Sequence, residues 1–212
     1  MTDTSNSEFS DNKGIQIYNE LANSLMMGER LPNERIKIRE LAQLMNTSVT
    51  PVRDAVLRLV QDGAFVMHSP RDIRICSLTL DEYLEIRSIR LELEGMVAEK
   101  AARLATPADI VLLETILTHN ESSLSQHDFK ASIQHNQQFH FELCRIANMP
   151  ILTDILKQLW IKIGPLIAQA YPMGGRDMID HHYALLHSIA QKDSQAARIH
   201  MQTDILSGGD AL

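Results

Sequence analysis

One segment restricts the fold of this chain more than any other, namely residues 38–63, IRELAQLMNTSVTPVRDAVLRLVQDG. Apolar residues recur at helical spacing on both sides of the polar triplet Asn46-Thr47-Ser48, which predicts two short helices joined by a turn. Pro51 favours a helix start, because the first N–H groups of a helix have no partner within it. Ser48 or Thr50 can cap this second helix. The pattern predicts a helix-turn-helix.

The polar face of the second helix carries groups that suit DNA. Ser48, Thr50 and Arg53 lie at its amino end, and Arg58 follows further along. A helix that buries one face and offers hydroxyl and guanidinium groups at its start fits the major groove of duplex DNA. We therefore expect these four side chains to contact an operator.

The flanking segments extend this motif to a winged helix-turn-helix. A helical stripe covers residues 15–26, and two β-capable runs, residues 64–68 and 73–77, are separated by a turn at residues 69–72. The three helices followed by a hairpin predict a DNA-binding domain over residues 14–78. The polar residues 1–13 are expected to form a disordered tail.

The rest of the chain, residues 79–212, is predicted to be a bundle of about six helices. Thr106-Pro107 and Pro150 mark helix starts, and Pro172-Met173-Gly174-Gly175 is expected to break the chain. Pro165 is expected to kink the helix that contains it. The six helices are expected at residues 79–104, 106–125, 127–148, 150–171, 176–191 and 193–206. The fold class is therefore mostly α.

Charge, apolar runs and cysteine content indicate the partner and the cellular compartment of this protein. The chain has a net charge of −7, yet residues 28–75 hold eight Lys or Arg and six Asp or Glu, so this segment is locally basic as DNA contact requires. Apolar runs are too short to cross a bilayer, and no signal peptide is recognisable at the amino end. Two cysteines without paired spacing indicate a reducing compartment, and we expect a cytoplasmic protein.

The motifs together resemble the GntR superfamily of transcription regulators, in its FadR-like branch with a carboxyl-terminal FCD domain. The resemblance rests on LPNERIKIRELAQLM, TSVTPVRDAVLRLVQDG, IRSIRLELEGMVAEKAARLAT, NQQFHFELCRIANMPIL and DHHYALLHSIAQKDSQAARIHM. It covers nearly all of the chain after Ile15. It implies a homodimer that binds a two-fold symmetric operator and responds to a small carboxylate effector.

The resemblance assigns DNA reading to Arg39 and Arg53. A third arginine of the family pattern, just after the turn serine, is replaced here by Val49. Loss of a bidentate guanidinium removes a guanine contact of about 1–3 kcal/mol. We therefore expect an operator that departs from the usual one of the family, or weaker binding.

The resemblance also implies a divalent metal, zinc or nickel, in the helical bundle. The family pattern has an Asp, a His four residues later and two further histidines; the corresponding positions here are Asn136, His140, His182 and Asp204. One carboxylate is thus lost and another gained. Residues four apart on a helix share a face, so Asn136 and His140 can converge. An alternative register places His200 where Asp204 stands.

Arg90 is the expected effector contact, because a guanidinium that faces the pocket can hold a carboxylate in bidentate fashion. It matches the Arg-x-x-x-Glu pattern of the family with Glu94. The alternative is a simple ion pair between Arg90 and Glu94, which stand four apart on a helix.

The chain is not expected to be an enzyme. The sequence lacks HExxH, GxSxG and a Gly-rich phosphate loop, and no cysteines have metal-ligand spacing. Two alternatives stay open beside the regulator: a DNA-binding protein whose effector site is vestigial, and a metal-dependent hydrolase.

Overall fold

The computed structural model describes residues 4–208, with side chains from residue 13 onward. This part of the chain forms nine α-helices, one 3₁₀ helix and a three-stranded sheet. The amino-terminal elements are α1 (Thr4–Met26), β1 (Arg35–Ile36), α2 (Ile38–Leu44), α3 (Val49–Gln61), β2 (Phe65–Ser69) and β3 (Asp72–Ile75). The carboxyl-terminal elements are α4 (Leu80–Leu104), α5 (Pro107–Ser125), α6 (Phe129–Ala147), α7 (Pro150–Gly174), the 3₁₀ helix Gly175–Met178, α8 (Asp180–Ala190) and α9 (Ser194–Gly208).

The first helix is longer than the sequence predicts. It begins at Thr4, so the expected disordered tail of residues 1–13 is helical from that point, and residues 1–3 lie outside the described part. Its anchor is the buried stripe of Ile17, Leu21 and Leu25. No proline interrupts the segment before this stripe, and Gly14 costs a helix only about 1 kcal/mol.

The wing is a three-stranded antiparallel sheet rather than a hairpin alone. The strand order is β1-β3-β2, with Ile36 opposite Ile73 and Phe65 opposite Ile75. Ile36, Ile73 and Ile75 are buried against the helix-turn-helix. The strand β1, which the sequence analysis missed, ties the segment before α2 to the wing.

The helical half follows the predicted order with shifted ends. Capping boxes at Thr79 and Thr106 begin α4 and α5, since each threonine hydroxyl accepts from a backbone N–H and a carboxylate three residues on accepts from the threonine N–H. The break predicted over residues 172–175 is present, but α7 continues through Pro172 and ends at Gly174 rather than at Tyr171. Pro172 lies two residues before the end of α7, so little of the helix follows the backbone bond that this proline removes.

These observations confirm the mostly α fold with a winged helix-turn-helix and a helical bundle. Of the helices in the described part of the chain, none combines the length and the apolar character that crossing a bilayer requires.

The two halves of the chain meet where α1 packs on α7. The contact is closest at Gly164 of α7, where an added Cβ would lie 2.8 Å from Met26 Cα and closer still to the Leu25 carbonyl oxygen. These neighbours are backbone atoms, which cannot rotate away. Glycine is therefore required at this crossing.

Gly164→Ala is expected to lower the free energy of unfolding by about 1–3 kcal/mol, because overpacking a tight backbone contact forces the helices apart. Gly14→Ala is the matched control, since its nearest neighbour would lie 3.9 Å away and alanine favours a helix. Urea unfolding of both variants tests this. Equal stability of Gly164→Ala and the parent chain would mean that α1 and α7 do not approach so closely.

Candidate functional site

The amino end of α3 offers an exposed polar face above a buried apolar one. The buried side consists of Pro51, Val52, Ala55, Val56 and Leu59. Ser48, Thr50 and Arg53 are exposed on the other side. Ser48 is the N-cap residue, but its side chain makes no cap hydrogen bond, so its hydroxyl is free for another partner.

A cleft of about 600 Å³ lies between the starts of α2 and α3 and the tip of the wing. Its basic lining residues are Arg35, Lys37, Arg39, Arg53 and Arg71. Glu40 is the acidic residue in this lining, and it pairs with Lys37 at 2.8 Å. Basic side chains around a cleft of this size suit the phosphates of a DNA backbone.

Arg39 and Arg53, the two predicted DNA-reading arginines, both lie in this cleft. Both are exposed, and neither forms an ion pair within the described residues. Their guanidinium groups are therefore available to an external partner. Val49 lies in the same lining, at the position where the family pattern has a third arginine.

Arg58, the fourth predicted DNA contact on α3, stacks on a tyrosine of α1. Its guanidinium carbon lies 4.7 Å from the centre of the Tyr18 ring on α1, and the Tyr18 hydroxyl donates to Asp62 at 2.7 Å. This cation–π contact joins α3 to α1. Arg58 is exposed but lies outside the lining of the cleft, so its contact with DNA stays a prediction.

A second group of functional side chains is buried in the helical half. His140 on α6, His182 on α8 and Asp204 on α9 bring their donor atoms to one point. The two Nε2 atoms are 3.3 Å apart, and the Asp204 oxygens lie 3.4 Å from His140 Nε2 and 3.1 Å from His182 Nε2. We call these three residues the donor cluster.

Asn136, the other predicted metal ligand, lies one helical turn before His140 and is 6 % exposed. It lines a small cavity of about 40 Å³ together with Arg90, His140 and Asp204. His200, the ligand in the alternative register, is not among the converging donors of the described residues. The arrangement thus favours Asp204 over His200.

Glu94 is the residue of this site that the sequence analysis did not assign to it. One of its oxygens faces His140 Nδ1 at 2.7 Å. The other accepts from Arg90 Nε at 2.5 Å and from Trp160 Nε1 at 3.1 Å. A carboxylate that holds the second nitrogen of a histidine fixes the tautomer and the ring orientation, as around protein-bound metals. The signal for it was the Arg90–Glu94 spacing.

Arg90 is buried and already contacts other residues of the protein. Besides its bond to Glu94, its guanidinium carbon lies 4.6 Å from the centre of the Trp160 ring, and the residue is 6 % exposed. The Arg90–Glu94 ion pair that the sequence analysis kept as an alternative is therefore present. The same guanidinium still lines the small cavity, so the pair and a ligand contact are compatible.

Buried charges balance in this region. Burial favours the neutral form of the Glu94 carboxyl, but Arg90 and His140 lower its pKa to about 2. Burial likewise disfavours a charged His140, yet Glu94 and Asp204 raise its pKa to about 9. Burial opposes ionisation of Asp204 too, and the two histidines hold the pKa of that carboxyl far below its usual range. Two cationic and two anionic side chains thus neutralise one another.

Two family models match the chain. "Bacterial regulatory proteins, gntR family" covers residues 14–75, and "FCD domain" covers residues 85–206. The Escherichia coli HTH-type transcriptional regulator McbR is 30 % identical over 202 residues, which span 93 % of this chain and 91 % of that protein. The Bacillus subtilis regulator YdhC is 25 % identical over 88 % of this chain and 85 % of its own length.

The solved structure of E. coli McbR/YncC superposes with a TM-score of 0.85 at 29 % identity, covering 93 % of this chain and 97 % of that one. A GntR regulator structure from Rhodococcus sp. RHA1 has a TM-score of 0.77 at 14 % identity and shows the same fold.

These relatives are named as transcriptional regulators and not as enzymes. Together with the helix-turn-helix and the two matched domains, they establish the resemblance that the sequence motifs indicated. The chain therefore belongs to the GntR family of bacterial transcriptional regulators and carries an FCD domain.

Proposed function

We propose that this regulator binds its operator as a homodimer in the bacterial cytoplasm, holds a divalent metal at the donor cluster and responds to a small organic acid. The observation that carries the proposal is the convergence of donor atoms from three separate helices at one buried point. Two imidazoles and a carboxylate are ligand types that bind zinc and nickel, and here all three lie within ligand distance of one point.

The spacing of these donors fits a transition-metal ion. Zinc–nitrogen bonds of about 2.0–2.1 Å in a tetrahedral site leave neighbouring ligands about 3.3 Å apart. The separation of the two Nε2 atoms is 3.3 Å, and their distances to the Asp204 oxygens are 3.1 and 3.4 Å. Imidazole and carboxylate ligands suit zinc and nickel alike.

Asn136 would complete the ligand set through its amide oxygen. It lines the same cavity as His140 and Asp204. Bound metal would supply a fixed positive charge for an acidic effector. Glu94 and Asp204 raise the pKa of His140, and a histidine binds metal through an unprotonated nitrogen, so metal binding is expected to release a proton.

Arg90 is the proposed partner for the carboxylate of the effector, beside the metal. The cavity of about 40 Å³ has room for only a few water molecules, since one water needs roughly 10–15 Å³ of such space. An organic acid is larger than this space, so the residues that line the cavity must move when it binds. That need for movement supports a sensing role, since a ligand shifts an equilibrium only through different affinities for two states.

For the DNA-binding surface we propose that Arg39 and Arg53 read bases, while Ser48 and Thr50 contact the backbone of the operator. A two-fold dimer places its recognition helices about 34 Å apart, one turn of DNA. Movement of α4, which follows the wing directly, would change this spacing when an effector binds. The operator affinity would change with it.

This coupling is tested with the metal-loaded protein and an operator that is selected from random DNA duplexes. Calorimetry first identifies a carboxylic acid that binds the helical bundle. We expect this acid to change the operator affinity, measured by fluorescence anisotropy, at least about fivefold, as is typical of allosteric coupling. Chelator-treated protein is the comparison. An acid that binds but leaves operator affinity unchanged would contradict the coupling and favour a DNA-binding protein with a vestigial site.

A further inference from the structure

Val49 is an apolar side chain that the hydrophobic core does not use. It is the first residue of α3 and is 38 % exposed. The apolar side chains that form the core of the described residues, or that pack against it, do not include Val49. Its neighbours Ser48 and Thr50 are polar and exposed. Packing therefore gives no reason for a valine at this position.

The position of Val49 distinguishes it from the single exposed apolar residues that are ordinary on protein surfaces. It lies four residues before Arg53, so the two side chains share one face of α3. Among the described residues, Val49 and Arg53 are what α3 contributes to the lining of the basic cleft, and Arg39 of α2 lies in the same lining. Val49 thus lies beside the two arginines that are proposed to read bases.

Thymine carries the one methyl group that the four DNA bases present in the major groove. The other distinguishing groups at the base edges are hydrogen-bond donors and acceptors, for which a valine side chain has no partner. A valine against such an edge would cut it off from water without replacing the lost hydrogen bond. Against a methyl group, by contrast, two apolar surfaces leave water together. An exposed valine on a DNA-reading face therefore favours thymine.

We propose that Val49 is a specificity-determining residue that contacts the C5-methyl group of a thymine in each half-site of the operator. This rests on the proposed function, in which the start of α3 enters the major groove and Arg53 reads a guanine. Four residues of a helix rise about 6 Å, and successive base pairs are about 3.4 Å apart. The thymine is therefore expected within about two base pairs of that guanine.

Deoxyuridine tests this contact, since uracil pairs as thymine does and lacks only the methyl group. The parent chain first selects an operator from random duplexes, and each thymine of that operator is then replaced by uracil in turn. Fluorescence anisotropy at one fixed salt concentration measures the affinity of each duplex. We expect one thymine position per half-site at which uracil weakens binding about fourfold, the effect of keeping one methyl group in water.

Val49→Ala should remove this preference, so that the thymine and uracil duplexes bind with equal affinity. The variant should fold like the parent chain, because the side chain is exposed and alanine favours a helix more than valine does. Thr50→Ser is the matched comparison, since it removes a neighbouring methyl group and keeps the hydroxyl; it should retain the preference. Val66→Ala removes an exposed valine of β2 outside the cleft lining and should retain the preference too.

Val49→Arg should exchange the base preference instead of removing it. A guanidinium at this position can donate to both O6 and N7 of a guanine, which valine cannot do. The operator that this variant selects from random duplexes should have a guanine in place of the methyl-sensitive thymine or directly beside it. Selection of the same thymine by this variant would contradict the contact.

Two further results would overturn the role of Val49. Uracil has no effect at any thymine of the operator, or its effect survives in Val49→Ala; survival there together with loss in Thr50→Ser would assign the methyl contact to Thr50. In these cases the proposed placement of α3 stands if Arg53→Ala weakens specific binding. If Arg53→Ala binds the operator as the parent chain does, that placement fails and the inference on Val49 fails with it.

Discussion

Replacing His140 and His182 together by alanine is expected to abolish metal binding. The two imidazoles supply both nitrogen donors of the cluster, and Asp204 with an amide oxygen is a weak site for zinc or nickel. Elemental analysis of protein purified without chelator and reloaded with zinc or nickel measures the effect. The parent chain should carry about one ion per protomer and the double variant none.

Two controls separate ligation from folding. His119 and His187 are exposed in the same half of the chain, so their double alanine variant should keep the metal. The variant with His140→Gln and His182→Gln preserves more of the buried volume and should lose the metal while keeping its helical circular dichroism. Unchanged metal content in both cluster variants would assign the ion to other residues.

Arg53→Ala is expected to weaken specific operator binding about 10- to 100-fold for each half-site. A guanidinium that reads a guanine contributes about 1–3 kcal/mol, and Arg53 has no ion-pair partner within the described part of the chain. Its removal should change the free energy of unfolding by no more than about 0.5 kcal/mol, as for other exposed positions. Fluorescence anisotropy with specific and random duplexes measures the loss of operator binding. Urea unfolding measures the change in the free energy of unfolding.

Arg58→Ala is the matched comparison on the same helix. Because its guanidinium stacks on Tyr18, its loss should reduce stability more and sequence preference less than the loss of Arg53. The opposite ranking, with Arg58 decisive for specificity and Arg53 neutral, would refute the proposed orientation of α3 on DNA.

The elements that the sequence predicted well are those with local signals. Pro51 and Ser48 predicted the start of α3, and Thr106-Pro107 predicted that of α5. Strand β1 has only two residues, and its pairing with β3 joins positions far apart in the chain, so no local pattern indicates it. The passage of α7 through Pro172 runs against the local preference of proline, so the residue itself does not indicate it.

The surroundings of the donor cluster likewise combine residues that the sequence indicated with contacts that only the fold reveals. The resemblance to the family suggested His140, His182 and Asp204, and the structure brings their donor atoms together. Glu94 was interpreted only through its neighbour Arg90, four residues away on the same helix. Its contacts with His140 and Trp160 lie 46 and 66 residues away in sequence, and only the folded bundle creates them.

Trp160 is the single tryptophan of the chain, and its position has a practical consequence. Its indole N–H donates to Glu94, and its ring centre lies 5.1 Å from that of His140. Indole emission responds to nearby charge and to contact with an imidazolium ring. The tryptophan fluorescence of this protein thus originates beside its proposed sensor, where an ion or an acid arriving from solution can be followed optically without any attached dye.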